Sequence, residues 1–391
     1  MKKSKMMVGV AGSGAMGSGI AQLSATKGHQ VILYDNNHSA LEKSKDYIKK
    51  ALSHLVAKQK IKHDDASKIQ KLISFSDNLN DFDSCGIVIE AIVEKLDIKQ
   101  ELFKQLENIV SAGCLLATNT SSLSITAIAG ACVNPARIIG IHFFNPATVM
   151  TLVEIIPGLT TDEQVIIDAR TLINTWGKTT VVAKDTPGFI VNRIARPFYG
   201  EAIRIYEEQL ANFKTIDNAM KQLGGFKMGP FELMDFIGND INYAVTETVW
   251  QQMFYEPRYK PSLTQKRLVE AGKLGRKSGK GYYDYSIIDS GSDFSDNKSE
   301  HQYIYNRILC MLVNEAIDAL YYGIASKEDI DLAMVNGVKY PKGLLAWADD
   351  IGLENVLKTI NQLYCDYTED RYRPSPLLKK MVNNNLNFYN L

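Results

Sequence analysis

The first half of the chain alternates short apolar runs with segments in which apolar residues recur every three or four positions. This alternation predicts strands separated by helices, and therefore a doubly wound α/β sheet with helices on both faces. One long helix is expected from Ser39 to Ile61. The seven runs that we predict as strands are Met6–Val10, Gln30–Tyr34, Gly86–Ala91, Cys114–Ala117, Ile138–Ile141, Leu152–Ile156 and Thr179–Ala183.

The alternation stops at Pro187 and Gly188, and helical spacing predominates in the rest of the chain. One long helix is predicted from Phe189 to Glu208. We therefore expect the α/β domain to be followed by two all-α helical modules, joined by a polar linker rich in Gly, Ser and Asp. The predicted divisions are 1–185 for the α/β domain, 186–285 for the first module, 286–300 for the linker and 301–391 for the second module.

The two modules are predicted from a weak internal repeat, in which Asn192-Arg193 recurs 114 positions later as Asn306-Arg307. Such an offset indicates two copies of one helical fold. The other repeated pairs are Glu201 and Glu315, Ala202 and Ala316, Ile216 and Ile330, Asp217 and Asp331, Asp235 and Asp349, and Gly238 and Gly352.

The composition narrows the classes of partner. Lys and Arg total 44, as do Asp and Glu, so the net charge of zero provides no general attraction to nucleic acid or to an anionic membrane. Five cysteines, an odd number without C-x-x-C spacing, favour reduced thiols over a disulfide framework or a metal site. Since no apolar run reaches transmembrane length, we expect a cytoplasmic protein without a metal, nucleic-acid or membrane partner.

A glycine-rich segment follows the first predicted strand and opens a helix. This strand–turn–helix context predicts a Rossmann-type dinucleotide site that contains Gly12, Gly14, Ala15, Met16 and Gly17. Gly12 permits the tight turn, Gly14 lets the backbone approach a pyrophosphate, and Gly17 lets the helix pack on the strand. Asp35, 18 residues past Gly17, would accept both ribose hydroxyls and repel a 2′-phosphate. NAD is therefore favoured over NADP, and FAD, which shares the fingerprint, is the main competitor.

Polar groups capable of chemistry accompany three neighbouring runs. Ser121 follows the first, His142 ends the second and Glu154 lies inside the third. Because ligands bind at the carboxyl ends of the strands of an open α/β sheet, His142 would face a substrate, and Glu154 could orient its ring. The alternative is a packed, hydrogen-bonded histidine and a glutamate paired with a lysine. Asn192 opens the first helical module, where it either faces the interdomain cleft or bonds the linker backbone.

The predicted helix 39–61 has a basic polar side, which is either a solvated surface or a docking surface for an anionic ligand tail. Its lysines are Lys43, Lys45, Lys49, Lys50, Lys58 and Lys60.

Several motifs, taken in order, resemble the L-3-hydroxyacyl-CoA dehydrogenase family over residues 6–285. The trailing module resembles an extra C-terminal repeat found in some bacterial members. The motifs are GSGAMGSGIA at 12–21, NTSSL at 119–123, HFFNP at 142–146, KDTPGFIVNR at 184–193, MGPFEL at 228–233 and LGRKSGKGYY at 274–283.

The resemblance implies NAD-dependent oxidation of (S)-3-hydroxyacyl-CoA, for example 3-hydroxybutyryl-CoA, to 3-oxoacyl-CoA, and the reverse reaction. His142 would be the general base and Glu154 its orienting acid, while Ser121 and Asn192 would bind the reacting oxygen or the thioester carbonyl. Lys58 would contact coenzyme A, although Ala51 replaces a serine that often contacts coenzyme A in related enzymes. The positions that would contact the cofactor or lie beside it are Glu94, Lys99, Ser121, Asn145 and Lys277.

Two other functions share part of this pattern. One is a dehydrogenase of another hydroxy acid, such as a sugar acid. The other is a nucleotide-binding structural relative without turnover, which the presence of His142, Glu154, Ser121 and Asn192 disfavours. Relatives with one helical module generally dimerise through it, so the resemblance implies either a homo-oligomer or a second module that acts as an internal partner of the first.

Overall fold

A computed structural model of the protein describes residues 6–287, 295 and 297–389. The chain divides between Thr186 and Pro187 into two compact units, Met1–Thr186 and Pro187–Leu391. Most of the predicted linker 286–300 lies outside the described residues, although a helix already begins at Lys298, within its last residues.

The first unit is built on one eight-stranded sheet with the strand order β3-β2-β1-β4-β5-β6-β7-β8. Neighbouring strands are parallel except for β6 and β7, which are antiparallel. The chain therefore reverses direction across the sheet between β1 and β4, as in a doubly wound fold. The strands are β1 Met7–Ala11, β2 Gln30–Tyr34, β3 Ile73–Ser76, β4 Ile87–Glu90, β5 Leu115–Thr118, β6 Ile138–Phe143, β7 Leu152–Pro157 and β8 Thr179–Val182.

All seven predicted runs form strands, with ends that differ from the predicted ones by at most two residues. The sequence analysis missed β3, because Ile73–Ser76 is short and half of it is serine. β6 continues past the predicted end at Ile141, so His142 is its penultimate residue.

Helices cover both faces of the sheet, and each face has its own apolar core. One core includes Val10, Ile20 and Ile173, and the other includes Phe82, Phe103 and Leu116. The helices of this unit are α1 Ala15–Thr26, α2 His38–Ala57, α3 His63–Lys71, α4 Leu96–Ile109, α5 Ile125–Ala129 and α6 Glu163–Thr175.

The helix predicted over 39–61 is too long. It ends at Ala57, the chain turns through Gln59, which has a φ of 56°, and α3 follows as a separate helix. Lys58 therefore follows the last turn of α2, and Lys60 lies outside the helix.

The second unit is helical in its described part. The helix predicted over 189–208 is interrupted at Ala195. Pro197 explains the break, because proline lacks the N–H that would bond the carbonyl of Arg193 and its ring clashes with that carbonyl. The helices are α7 Val191–Ile194, α8 Arg196–Glu207, α9 Phe213–Gly224, α10 Pro230–Ile237, α11 Asn239–Gln252, α12 Leu263–Glu270, α13 Lys298–Tyr321, α14 Lys327–Gly337, α15 Leu344–Ile351, α16 Leu353–Tyr367 and α17 Pro376–Asn383.

Equivalent aspartates make equivalent contacts in the two halves of the repeat. Asp217 accepts hydrogen bonds from the backbone N–H groups of Phe231 and Glu232, both at 2.8 Å. Asp331, its counterpart, accepts from the N–H groups of Leu345 and Ala346 at 2.8 and 3.0 Å. These donors are also 114 positions apart.

The contacts between the two halves are reciprocal. Arg193 donates from Nε to Glu315 at 2.8 Å, and its counterpart Arg307 donates from Nε to Glu201 at 3.0 Å. The hydroxyl of Tyr259 bonds Glu315 at 2.5 Å. Likewise, the hydroxyl of Tyr372 bonds Glu201 at 2.9 Å. Each half thus supplies an arginine to a glutamate of the other, which is the pattern of a two-fold interface.

Candidate active site

The glycine-rich turn lies between β1 and α1. Gly12 has a φ of 104°, and a Cβ there would lie 2.6 Å from the carbonyl oxygen of Ala91. A Cβ on Gly17 would lie 1.8 Å from the carbonyl oxygen of Gly12, so the helix packs on the turn at van der Waals contact. By contrast, nothing lies within 4 Å of a Cβ built on Gly14. The chain itself therefore needs glycine at 12 and 17, while position 14 borders open space at the start of α1.

Asp35 lies just past the carboxyl end of β2 and is tied to this turn. Its Oδ2 accepts hydrogen bonds from the backbone N–H and the hydroxyl of Ser13, both at 2.8 Å. Its Oδ1 accepts from the N–H of Asn37 at 3.0 Å. Ser13 was not singled out from the sequence, because it occupies a position of the G-x-G-x-x-G pattern at which any residue is allowed. These contacts place the acid beside the turn.

Glu94 joins the loop after β4 to the loop after β5. Its Oε1 accepts from the hydroxyl of Thr120 at 2.6 Å and from the N–H of Ser121 at 2.8 Å. Both Ser122 groups, N–H and hydroxyl, also bond this oxygen, at 3.2 and 3.1 Å. Burial favours the neutral acid, but Lys99 and these donors outweigh it and hold the pKa of Glu94 below its ordinary value. The ionised carboxylate fixes the position of the Ser121 loop.

Lys99 lies beneath Glu94, with only 1% of its side chain exposed. Its Nζ lies 2.5 Å from Oε1 of the fully buried Glu90 and 3.2 Å from Oε2 of Glu94. Thr118 donates to the other oxygen of Glu90 at 2.6 Å. The resemblance allows Lys99 to contact the cofactor or to lie beside it, and this burial favours the second role. Glu90 and Thr118 were not predicted as site residues.

His142 and Glu154 are direct partners across the antiparallel β6–β7 pair. The Nδ1 of His142 lies 2.7 Å from Oε2 of Glu154. His142 is 5% exposed and Glu154 is fully buried. Because β7 runs opposite to β6, the beginning of β7 lies at the edge where β6 ends, and Glu154 is the third residue of β7. The predicted His–Glu pair is thus present as a geometric unit.

The backbone around His142 is fixed on both sides. The side chain of Asn119, at the end of β5, accepts from the N–H of Phe143 at 2.8 Å. The ring of Phe144 lies 4.6 Å from the imidazole, centroid to centroid. Further along, Lys178 donates to the carbonyls of Ala147 and Met150, both at 2.6 Å, which fastens the loop that contains the exposed Asn145.

Two predicted site residues lie in the second unit. Asn192 is half-buried in α7. Lys277 lies in a short 3₁₀ turn and pairs with the carboxylate of Asp240, at 2.6 Å from Oδ1 and 2.7 Å from Oδ2. Lys58, in the first unit, is exposed where α2 ends, next to a shallow groove on α2 that Lys49, Lys50 and His54 line.

Comparison with known proteins identifies the family. The sequence model of the 3-hydroxyacyl-CoA dehydrogenase NAD binding domain matches residues 7–186. The model of the C-terminal domain of the same enzymes matches twice, at residues 188–285 and 303–387. The chain belongs to the 3-hydroxyacyl-CoA dehydrogenase family. It is accordingly an NAD-dependent oxidoreductase acting on 3-hydroxyacyl-CoA, and the double match agrees with the internal repeat.

Similar proteins extend over most or all of the chain. The 3-hydroxyadipyl-CoA dehydrogenase of Escherichia coli K12 is 38% identical over 95% of this chain and 96% of its own length. A probable 3-hydroxybutyryl-CoA dehydrogenase of Bacillus subtilis is 42% identical over 71% of this chain and 96% of its own. The crystal structure of a 3-hydroxybutyryl-CoA dehydrogenase from Escherichia coli K12 superposes with a TM-score of 0.91, at 36% identity, over 97% of this chain and 99% of that one.

The glycine-rich turn fits the NAD that the family uses. Gly14 leaves space for a pyrophosphate at the N-terminus of α1, where backbone N–H groups and the helix dipole favour an anion. Asp35 is held beside the turn, where it would accept ribose hydroxyls. Among the described residues, no helix is long and apolar enough to span a membrane.

Proposed function

We propose that His142 is the general base that removes the proton of the 3-hydroxyl group, and that Glu154 positions it. The contact of 2.7 Å between Nδ1 and a fully buried carboxylate carries this proposal. If Nδ1 donates to Glu154, the other ring nitrogen, Nε2, keeps its lone pair and can accept a proton. The same carboxylate then stabilises the imidazolium that forms, as the acid of other His–acid pairs does.

The reaction requires little else from the chain. The chemistry that bound NAD would supply is acceptance of the hydride from C3 of the substrate. The residues supply orientation and proton transfer, which are the usual contributions of a protein to cofactor chemistry. In the reverse direction, protonated His142 returns the proton to the 3-oxo oxygen.

Ser121 is proposed to donate its hydroxyl proton to a substrate oxygen. Its present contact with Glu94 is long, at 3.3 Å, while its backbone N–H bonds the same carboxylate at 2.8 Å. The backbone contact therefore suffices to hold the loop when the hydroxyl turns to a substrate. Asn192, from the second unit, is proposed as a second ligand of the reacting oxygen or the thioester carbonyl.

For coenzyme A, we propose contact with Lys58 and the basic side of α2. Lys49 and Lys50 line the groove there, and phosphates attract such lysines as point charges. The relatives' names differ at the far end of the acyl chain, where adipyl has a carboxylate and butyryl has a methyl group.

We also propose the cytoplasm as the location, since all five cysteines are free thiols.

We further propose that the second helical module is the internal partner of the first. Helix α13 contacts α7 and α8, and the apolar residues predicted to meet are all buried, with at most 1% exposed. The reciprocal Arg–Glu contacts give the same pairing an ionic component. The residues predicted to meet are Ile304, Ile308, Leu312 and Ala316 on one side, and Ile190, Ile194, Phe198 and Ala202 on the other.

The direct test of the activity is NADH oxidation by the purified full chain with acetoacetyl-CoA, followed at 340 nm. Consumption of NADH that depends on the thioester supports the proposal. Turnover of a free hydroxy acid, such as a sugar acid, without turnover of acetoacetyl-CoA would contradict it, and so would the absence of any turnover while NADH binds.

A further inference from the structure

Lys178 is a buried lysine at the edge of the sheet where β6 ends. It immediately precedes β8, which begins beside the start of β7. Its side chain donates to the carbonyl oxygens of Ala147 and Met150, both at 2.6 Å. These carbonyls belong to the loop 144–151, which directly follows β6. One ammonium group therefore joins this loop to the start of β8.

The ammonium of Lys178 has no acid to balance its charge. Its Nζ contacts backbone carbonyls, and in the described part of the chain no carboxylate lies within ion-pair distance of it. Burial, together with the nearby charge of Lys27, lowers the pKa of Lys178 to about 8. Burying an ammonium without an acid costs free energy, and a methionine could fill similar space without that cost. The bonds to the loop are therefore what distinguishes a lysine here from an apolar side chain.

The loop that Lys178 holds lies against the dinucleotide-binding helix. Ala147 is 2% exposed, and a Cβ built on Gly19 of α1 would lie 3.3 Å from the Cβ of Ala147. Gly19 is two residues past Gly17, close to the helix N-terminus that fits a pyrophosphate. Asn145, two residues before Ala147, is exposed. The loop is thus packed on α1 at Ala147 and open at Asn145.

The order of the strands indicates which half of the cofactor this loop would meet. Asp35, the expected partner of the adenosine ribose, follows β2 on one side of β1, whereas His142 lies near the end of β6 on the other side. Hydride transfer requires the nicotinamide to lie beside the carbon whose hydroxyl His142 would deprotonate. The nicotinamide half would therefore extend from the turn after β1 toward β6, where the loop 144–151 begins.

We propose that Lys178 is a positioning residue for the cofactor, which holds the loop 144–151 so that Asn145 meets the nicotinamide half of NAD. This inference rests on the proposed role of His142, which determines where the nicotinamide lies. Lys178 acts through the loop, since its ammonium bonds the backbone of the loop. Loss of the ammonium should therefore weaken binding of the nicotinamide half and spare the adenosine half, which the glycine-rich turn and Asp35 would hold.

The test compares NADH with ADP-ribose, which contains the adenosine, the pyrophosphate and the second ribose but no nicotinamide. Fluorescence titration of the purified full chain gives the Kd of NADH, and displacement of NADH gives the Kd of ADP-ribose. Lys178→Met should raise the Kd of NADH about tenfold, the equivalent of about one hydrogen bond from a charged donor, and leave the Kd of ADP-ribose unchanged. Lys178→Arg should bind NADH more tightly than Lys178→Met does, because it keeps the charge and the donors.

A double variant tests whether Lys178 acts through Asn145. Asn145→Ala should also raise the Kd of NADH and leave that of ADP-ribose unchanged. The double variant of Lys178→Met and Asn145→Ala should bind NADH no more weakly than the weaker single variant, whereas independent effects would multiply. Lys71→Met, which removes an exposed lysine of α3, is the matched control and should change neither Kd.

Equal weakening of NADH and ADP-ribose in Lys178→Met would show that Lys178 supports the whole nucleotide domain and would overturn the inference. An unchanged Kd of NADH in Lys178→Met or in Asn145→Ala would overturn it as well, and so would effects that multiply in the double variant. Should Lys178→Met not fold, Lys178→Gln, which keeps an amide donor, permits the same comparison. These Kd values are measured without a substrate, so they can fail while the wild type still oxidises NADH with acetoacetyl-CoA. Failure of that turnover would instead refute the proposed function.

Discussion

Replacing Glu315 with glutamine tests whether the two halves of the repeat hold each other in place. Glu315 is fully buried and accepts from Arg193 at 2.8 Å, from Arg258 at 3.0 Å and from the hydroxyl of Tyr259 at 2.5 Å. Within the described chain, Asp318, which pairs with Arg258, is the only other acid that bonds either of these two arginines. The two arginines and the two acids balance, so Glu315→Gln leaves a net buried charge of about +1 without changing the side-chain volume.

Removing one member of a buried ion pair costs roughly 3–5 kcal/mol, and we expect Glu315→Gln to lower the free energy of unfolding by about that amount. Glu201→Gln should cost less than Glu315→Gln, because Arg307 keeps both carboxylate oxygens of Glu208 as partners, at 2.7 and 2.9 Å. Urea unfolding followed by tryptophan fluorescence measures the change, and Trp250 and Trp347 report on the helical unit.

Glu354→Gln is the matched control. Glu354 is exposed in the first turn of α16, so the loss of its charge should cost less than about 1 kcal/mol. If Glu315→Gln and Glu201→Gln cost no more than this control, the reciprocal contacts do not stabilise the repeat and the reasoning is wrong.

Three further predictions concern pH, the cofactor and the repeat. Burial opposes ionisation of Glu315, but Arg193 and Arg258 outweigh it and lower the pKa of this carboxyl below 4.5. The stabilising effect of Glu315 is therefore present above about pH 4.5 and is lost as the pH falls through the lower folded value. Glu315→Gln should flatten the acid limb of a profile of melting temperature against pH, and an unchanged limb would contradict this. Asp35→Ala combined with Asn36→Arg should narrow the preference for NADH over NADPH in steady-state assays, whereas a wild type that already uses both equally would refute the role of Asp35. A chain cut after Tyr285 should expose the apolar face of α7 and α8, and light scattering should show that it dimerises or aggregates. If the full chain already dimerises through the first module and the cut leaves its assembly state unchanged, the second module is not an internal partner.

The sequence predicted the sheet well because its strands are continuous apolar runs between clear turn residues. It predicted the glycine-rich turn because Gly12 and Gly17 are required by contacts within the chain itself. It failed where the signal was short or polar, as in Ile73–Ser76, and where a single residue broke a helical pattern, as Pro197 does.

Contacts between distant segments were harder to predict. The bonds from Ser13 to Asp35 and from Thr120 to Glu94 join residues that no local pattern links. The repeat is the exception, since its offset of 114 residues already suggested which arginine and glutamate would correspond.

The most direct test of the central claim is the turnover number of His142→Gln with acetoacetyl-CoA and NADH, measured beside His63→Gln, which changes an exposed histidine of α3. A general base contributes about 10²–10⁴-fold, so His142→Gln should lose that factor in kcat while NADH still binds, and His63→Gln should keep wild-type kcat. Near-normal kcat in His142→Gln would show that His142 is not the base.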